Sequence, residues 1–170
     1  MPRTKQHLAG CAAILRVSQG HRFVDPSAPT LREAAFWVYV RQCLYDGTIR
    51  REPLDIDFSL QLRPLPPDIQ HSHPLARLQI ETAWANQAAW NAACVVNFCY
   101  GGAQAHNQIG DKRQQWQQLW DANQTWQQGK PHRFDPIWSG PSGGSNVFAD
   151  TLFIAESHGK LTQDVYHATG

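Results

Sequence analysis

The stretch Leu31–Tyr45, reading LREAAFWVYVRQCLY, constrains the fold more than any other part of the chain. It is apolar on nearly every side, interrupted only by Arg32, Glu33, Arg41 and Gln42. Thr30 and Glu33 stand at capping-box spacing, which starts a helix at Leu31. Leu31, Ala34, Ala35 and Val38 form one apolar stripe, and Phe36, Val40, Cys43 and Leu44 form a second. A helix apolar on two faces belongs at the centre of a bundle. The other elements are therefore expected to pack around it, and Asp46-Gly47 is the expected stop. Arg41 is a charge in the middle of this apolar helix. A buried guanidinium needs a partner, and Asp55, Asp57 or Glu81 are the expected ones, in a structural role that fixes helix packing.

The 170 residues suit one domain or a fragment of a larger one. A hydrophobic content of 42% supports a core, while a charged content of 17% is low, as in a domain cut from a larger packed body. The formal net charge of +1 gives no overall field favouring nucleic acid or membrane. No apolar run is long enough to span a bilayer. The four cysteines, Cys11, Cys43, Cys94 and Cys99, show no zinc spacing and are expected to be reduced, buried thiols.

Along the chain, a short helix is expected over residues 5–19, then a loop through Gly20, Pro26 and Pro29. The run Leu54–Leu62 alternates strictly between apolar and polar. No second alternating segment pairs with it, so it is expected to lie extended across helices with alternate side chains in the core. His73-Pro74 opens a second helix that reaches Tyr100 and stops at Gly101-Gly102. Arg77 and Glu81 are an expected i,i+4 pair. Residues 103–110 read as a linker, and a third helix is predicted from about Asp111 to Gln128, with Trp116, Leu119, Trp120 and Trp126 on a core face. Pro136–Ser145 reads as a loop, and Val147–His167 carries rough helical spacing. These readings give an all-α, irregular helical bundle with long loops, and an incomplete domain.

Three constellations bear on chemistry. Gly140-Pro-Ser-Gly-Gly144 matches the G-x-S-x-G elbow of hydrolases, with Asp150 and His158 following in the expected order. No strand–helix–strand pattern supports it, so the loop reading is preferred and no catalytic residue is assigned. The eight histidines lack metal-ligand spacing, so no metal and no cofactor is expected in this chain. The seven tryptophans have few cations among them, which argues against a nucleic-acid stacking surface.

Three runs, Ala34-Ala-Phe-Trp-Val-Tyr-Val-Arg-Gln-Cys-Leu44, Leu54-Asp-Ile-Asp-Phe-Ser-Leu60 and Glu81-Thr-Ala-Trp-Ala-Asn86, resemble the middle homology region of fungal Zn2Cys6 transcription factors. Asn97-Phe98, Phe134-Asp-Pro-Ile-Trp138 and Tyr166-His167 fit the same pattern, and the resemblance spans roughly residues 8–168. It implies a nuclear, all-α regulatory domain that modulates transcription without catalysing a reaction. Residues 1–28 would be a lead-in with a short helix, and 29–170 a partial regulatory domain. The six-cysteine cluster is not in this chain, so zinc is expected only in an upstream DNA-binding segment, and no specific DNA binding is expected here. Partners would be other regulators or the rest of the same regulatory domain. Trp37, Arg41, Asp55, Asp57, Glu81, Trp84 and Asn86 are the structural or regulatory candidates. The other readings are a serine hydrolase using the Gly140–Gly144 loop and a free-standing helical interaction module.

Overall fold

Local cap chemistry opens two of the three helices among the described residues. In the computed structural model, which describes residues 23–65, 73–101, 112–140 and 151–152, helix α1 runs Leu31–Arg50. Its Thr30 side chain accepts from the Glu33 N–H at 3.3 Å, and the Thr30 hydroxyl donates to the Glu33 carboxylate at 2.9 Å. Helix α2 runs Pro74–Tyr100, with His73 as N-cap, proline at its first position and Gly101 as C-cap. Helix α3 runs Lys112–Gly129 and is followed by a 3-10 turn, His132–Phe134. Four two-residue strands complete the order: β1 (Phe23–Val24), β2 (Gln61–Leu62), β3 (Trp138–Ser139) and β4 (Thr151–Leu152). β1 pairs with β2 in parallel, and β3 with β4 antiparallel. The described residues therefore form an irregular all-α bundle with long loops.

The centre of the bundle is α2, not α1. Twelve α2 side chains are buried, from Ile80 to Val96, and the helix packs against both α1 and α3. Its length divides between two cores. Toward its C-terminal end, Trp90, Ala93 and Val96 meet Phe36, Trp37, Tyr39, Val40 and Cys43 of α1. Toward its N-terminal end, Ile80, Trp84 and Ala88 meet Trp126 and Phe134. The expectation that everything packs around α1 fails because only its second stripe is covered. Phe36, Val40 and Cys43 are buried, but Leu31, Ala35 and Val38 are exposed.

Asp46-Gly47 does not stop α1 either. The helix continues one turn, with an Asp46–Arg50 ion pair at 2.6 Å, and ends at Arg51 in the left-handed region at φ 56°. The Glu52 N–H then returns to the Gly47 carbonyl at 3.2 Å, a Schellman closure. Glycine is required at 47 for a different reason: a Cβ there would collide with Leu54. Gly129 ends α3 and plays the same part, since its Cβ would lie 2.8 Å from the Trp84 ring.

Leu54–Leu62 behaves as its alternation predicts. Leu54 and Leu60 are buried and Ile56, Phe58 and Leu62 half-buried, whereas Asp55, Asp57, Ser59 and Gln61 are exposed. It does have a strand partner, which the sequence reading missed, because β1 is only two residues long. Leu152 pairs in β4 and is not helical. The expected helix over 5–19, the linker over 103–110 and the remainder of 147–167 lie outside the described residues.

Candidate functional site

The expected site residues sort into two groups, one on each core of α2. The first is built on the turn before α1. The Asp25 carboxylate accepts from the Ser27 N–H at 2.9 Å and the Ser27 hydroxyl at 2.6 Å, an Asx turn. The Ala28 N–H closes that turn onto the Asp25 carbonyl at 3.2 Å, with Ala28 itself at φ 50°. Trp37, almost fully buried, donates its indole N–H to the same carbonyl at 3.0 Å. Glu33, already used in the cap, accepts from the Asp25 N–H at 3.2 Å.

Asn86 joins this turn to both helices. Its Nδ2 donates to the carbonyl of buried Pro26 at 2.7 Å, and its Oδ1 accepts from Arg41 Nη2 at 2.6 Å. Arg41 Nη1 donates to the Trp37 carbonyl at 3.2 Å. The expectation of a carboxylate partner for Arg41 is therefore corrected: its acceptors are a neutral amide and a backbone carbonyl. A carboxylate at 86 could meet the guanidinium but could not donate to Pro26, whereas an amide does both. Burial lowers the Arg41 pKa by desolvation, yet a guanidinium keeps its proton.

Asp55 and Asp57 face outward. The Asp55 backbone carbonyl accepts from the Tyr39 hydroxyl at 2.5 Å, and the Asp57 carboxylate accepts from the Ser59 N–H and hydroxyl at 2.9 and 2.6 Å. The Tyr39 bond ties the 54–60 segment to α1 and the Asp57 bonds form a turn within it; the Arg41 bonds go to Trp37 and Asn86 instead.

The second group surrounds Trp84. Its carbonyl accepts from the Trp126 indole N–H at 2.9 Å, and the two rings lie 6.5 Å apart. Phe134 packs edge-on to Trp126 at 6.0 Å. The Trp84 indole N–H is buried and has no partner among the described residues, an arrangement that costs about 1–3 kcal/mol. Glu81 pairs across to Arg133 at 2.9 Å, which the sequence reading did not foresee. Beyond that pair, Asp135 contacts Lys130 and also His132 at 3.2 Å. The Lys130 hydrogen bond, with lesser help from His132, holds the Asp135 carboxyl below its ordinary range.

Two expectations about exposure are corrected. Trp116 and Trp120 are not core: they are 49% and 39% exposed and stack face to face at 5.6 Å. Of the four residues expected on the core face, Trp126 is buried as expected and Leu119 half-buried, and Asn123 joins Trp126 on the buried face of α3. Among the thiols, Cys43 is buried and Cys94 partly so, with burial pushing the Cys94 thiol up to about 12, but Cys99 is exposed. Cys11 lies outside the described residues. So do Ser142, Asp150 and His158. A strand, β3, does precede Gly140, but it is two residues long and antiparallel, unlike the parallel strand under a hydrolase elbow. Among the described residues no three His, Cys, Asp or Glu side chains converge as a metal site. None of the described helices is long and apolar enough to cross a membrane.

The class these geometries define is an all-α domain whose interior polar groups act as tie points between elements. Compared with known proteins, the chain matches no family model, no curated protein and no solved structure.

Proposed function

We propose that the chain is a regulatory domain of the fungal Zn2Cys6 type, acting in the nucleus through contacts with other regulators or with the rest of its own regulatory domain. On this reading it catalyses no reaction, binds no cofactor and does not recognise DNA by itself. Zinc belongs to an upstream DNA-binding segment. One observation carries the reading. The three runs that bear the resemblance, Ala34–Leu44, Leu54–Leu60 and Glu81–Asn86, are distant in sequence yet are linked in space. Arg41 of the first bonds Asn86 of the third, and Tyr39 of the first bonds the Asp55 carbonyl of the second. These contacts make the three runs one packed unit, which is what the reading assumes.

The test is a fusion of the chain to an unrelated DNA-binding domain upstream of a reporter gene in a fungal host. The chain should change reporter output several-fold relative to the DNA-binding domain alone, at equal protein level. Equal output from the two would overturn the proposal. A serine-directed probe run on the same purified chain separates the hydrolase reading, which requires covalent labelling at Ser142.

A further inference from the structure

Arg41 is a lone cation between two uncharged helix segments. Residues 34–45 of α1 carry no other charged side chain, and residues 82–100 of α2 carry none. Pro26–Pro29, in the turn that Asn86 ties to them, are uncharged too. Asp25, at the head of that turn, directs its carboxylate to Ser27 and, at 3.6 Å, to Arg63. Glu33 uses its carboxylate on the Thr30 hydroxyl and the Asp25 N–H. Arg41 itself is half-buried, and no carboxylate among the described residues pairs with it. Its two bonds, to Trp37 and Asn86, take one N–H from each terminal nitrogen. A guanidinium has five N–H donors, so each of its three nitrogens keeps one without a partner among the described residues. Nε is open to solvent, because Trp84 Nε1 is the one sealed and unpartnered side-chain polar atom among the described residues.

We propose that Arg41 anchors a binding site for a small organic monocarboxylate at the junction of α1, α2 and the turn before α1. A desolvated cation is stable beside an anion, and here the fold supplies two neutral acceptors only. Those acceptors hold the guanidinium in place. The remaining N–H groups are therefore set before an anion arrives, and little side-chain freedom is lost on binding. A carboxylate gives these donors charge-assisted bonds. One cation, with no second cation in the segments around it, matches one negative charge. A phosphate dianion would bring a second charge with no partner into the same uncharged surroundings. The half-buried position of the guanidinium suits a small molecule better than the broad surface of a folded partner. The site does not depend on the transcriptional reading.

Nuclear magnetic resonance of the full chain labelled with nitrogen-15 tests it, with sodium acetate as the probe and sodium chloride holding the ionic strength constant. Arg41→Lys identifies the Arg41 Nε–H signal by deleting it. In the parent that signal should move along a saturable curve. Half-saturation should come at an acetate concentration at least about tenfold below the one that moves exposed Arg51. Inorganic phosphate at the same concentration should move the Arg41 signal less. Asn86→Asp sets a carboxylate on Arg41 from within the chain and should abolish the response to acetate while Arg41 remains. An Arg41 signal that follows acetate linearly, as Arg51 does, overturns the proposal. So does saturation by phosphate and not by acetate, or an Asn86→Asp chain that responds like the parent.

Discussion

At the level of single residues, Asn86 ties α2 both to α1 and to the turn before it. It accepts from Arg41 and donates to the Pro26 carbonyl. Asn86→Ala should therefore lower stability by about 2–4 kcal/mol in urea unfolding, the sum of one charge-assisted and one neutral hydrogen bond. Asn86→Asp should not recover it, because the Pro26 carbonyl still loses its donor. The sequence pointed to Arg41 as a charge needing a partner but supplied the wrong partner. Opposite charge is visible in a sequence, whereas an amide chosen because it must donate and accept at once is visible only in three dimensions. Asp135 gives a pH-dependent counterpart. Its carboxyl is held below the ordinary carboxylate pKa of about 3.9 by Lys130 first and His132 second. A lowered pKa contributes stability that is present above the ordinary value and lost as pH falls through the lowered one. Asp135→Asn should thus be less stable than the parent at neutral pH, and the difference should vanish in strongly acidic urea titrations.

Helix beginnings were legible because their causes are local. Thr30 with Glu33, and His73 with Pro74, act within one turn of the helix they start. The end of α1 was not legible, because Gly47 is dictated by Leu54, which approaches from outside the helix. Two substitutions separate these roles. Gly47→Ala should destabilise by about 1–3 kcal/mol through overpacking, despite alanine's better helix propensity. Arg51→Gly should stabilise by about 1 kcal/mol, since it relieves a side chain held at positive φ. Thermal unfolding of the two variants checks both signs, and a Gly47→Ala chain more stable than the parent would contradict the packing role. The alternation over Leu54–Leu62 was read correctly in its burial and missed in its pairing, because a two-residue partner such as Phe23–Val24 leaves no periodic signal.

In the molecule as a whole, the all-α class was legible from periodicity, but the hierarchy among helices was not. Both α1 and α2 are rich in apolar residues, and the sequence does not say which apolar stripe another element will cover. Alanines at positions 83, 88, 89, 92 and 93 let neighbours approach α2 closely, and all are buried. On α1 the stripe of Leu31, Val38, Tyr45 and Ile49 remains open. The seven candidate residues were named from sequence as one undivided set; Trp37, Arg41 and Asn86 meet on one core, and Trp84 and Glu81 belong to the other, with Trp126 and Arg133 as partners.

The central structural claim is that α2 is the hub shared by two cores, with α1 packed on one part of it and α3 on another. Amide hydrogen exchange under native conditions tests this most directly, because protection follows the stability of each cooperative unit. The slowest amides should fall in α2 between Ala83 and Val96, with those of α1 and α3 exchanging faster on either side. Slowest exchange in α1, with α2 opening before it, would contradict the claim and return α1 to the centre of the fold.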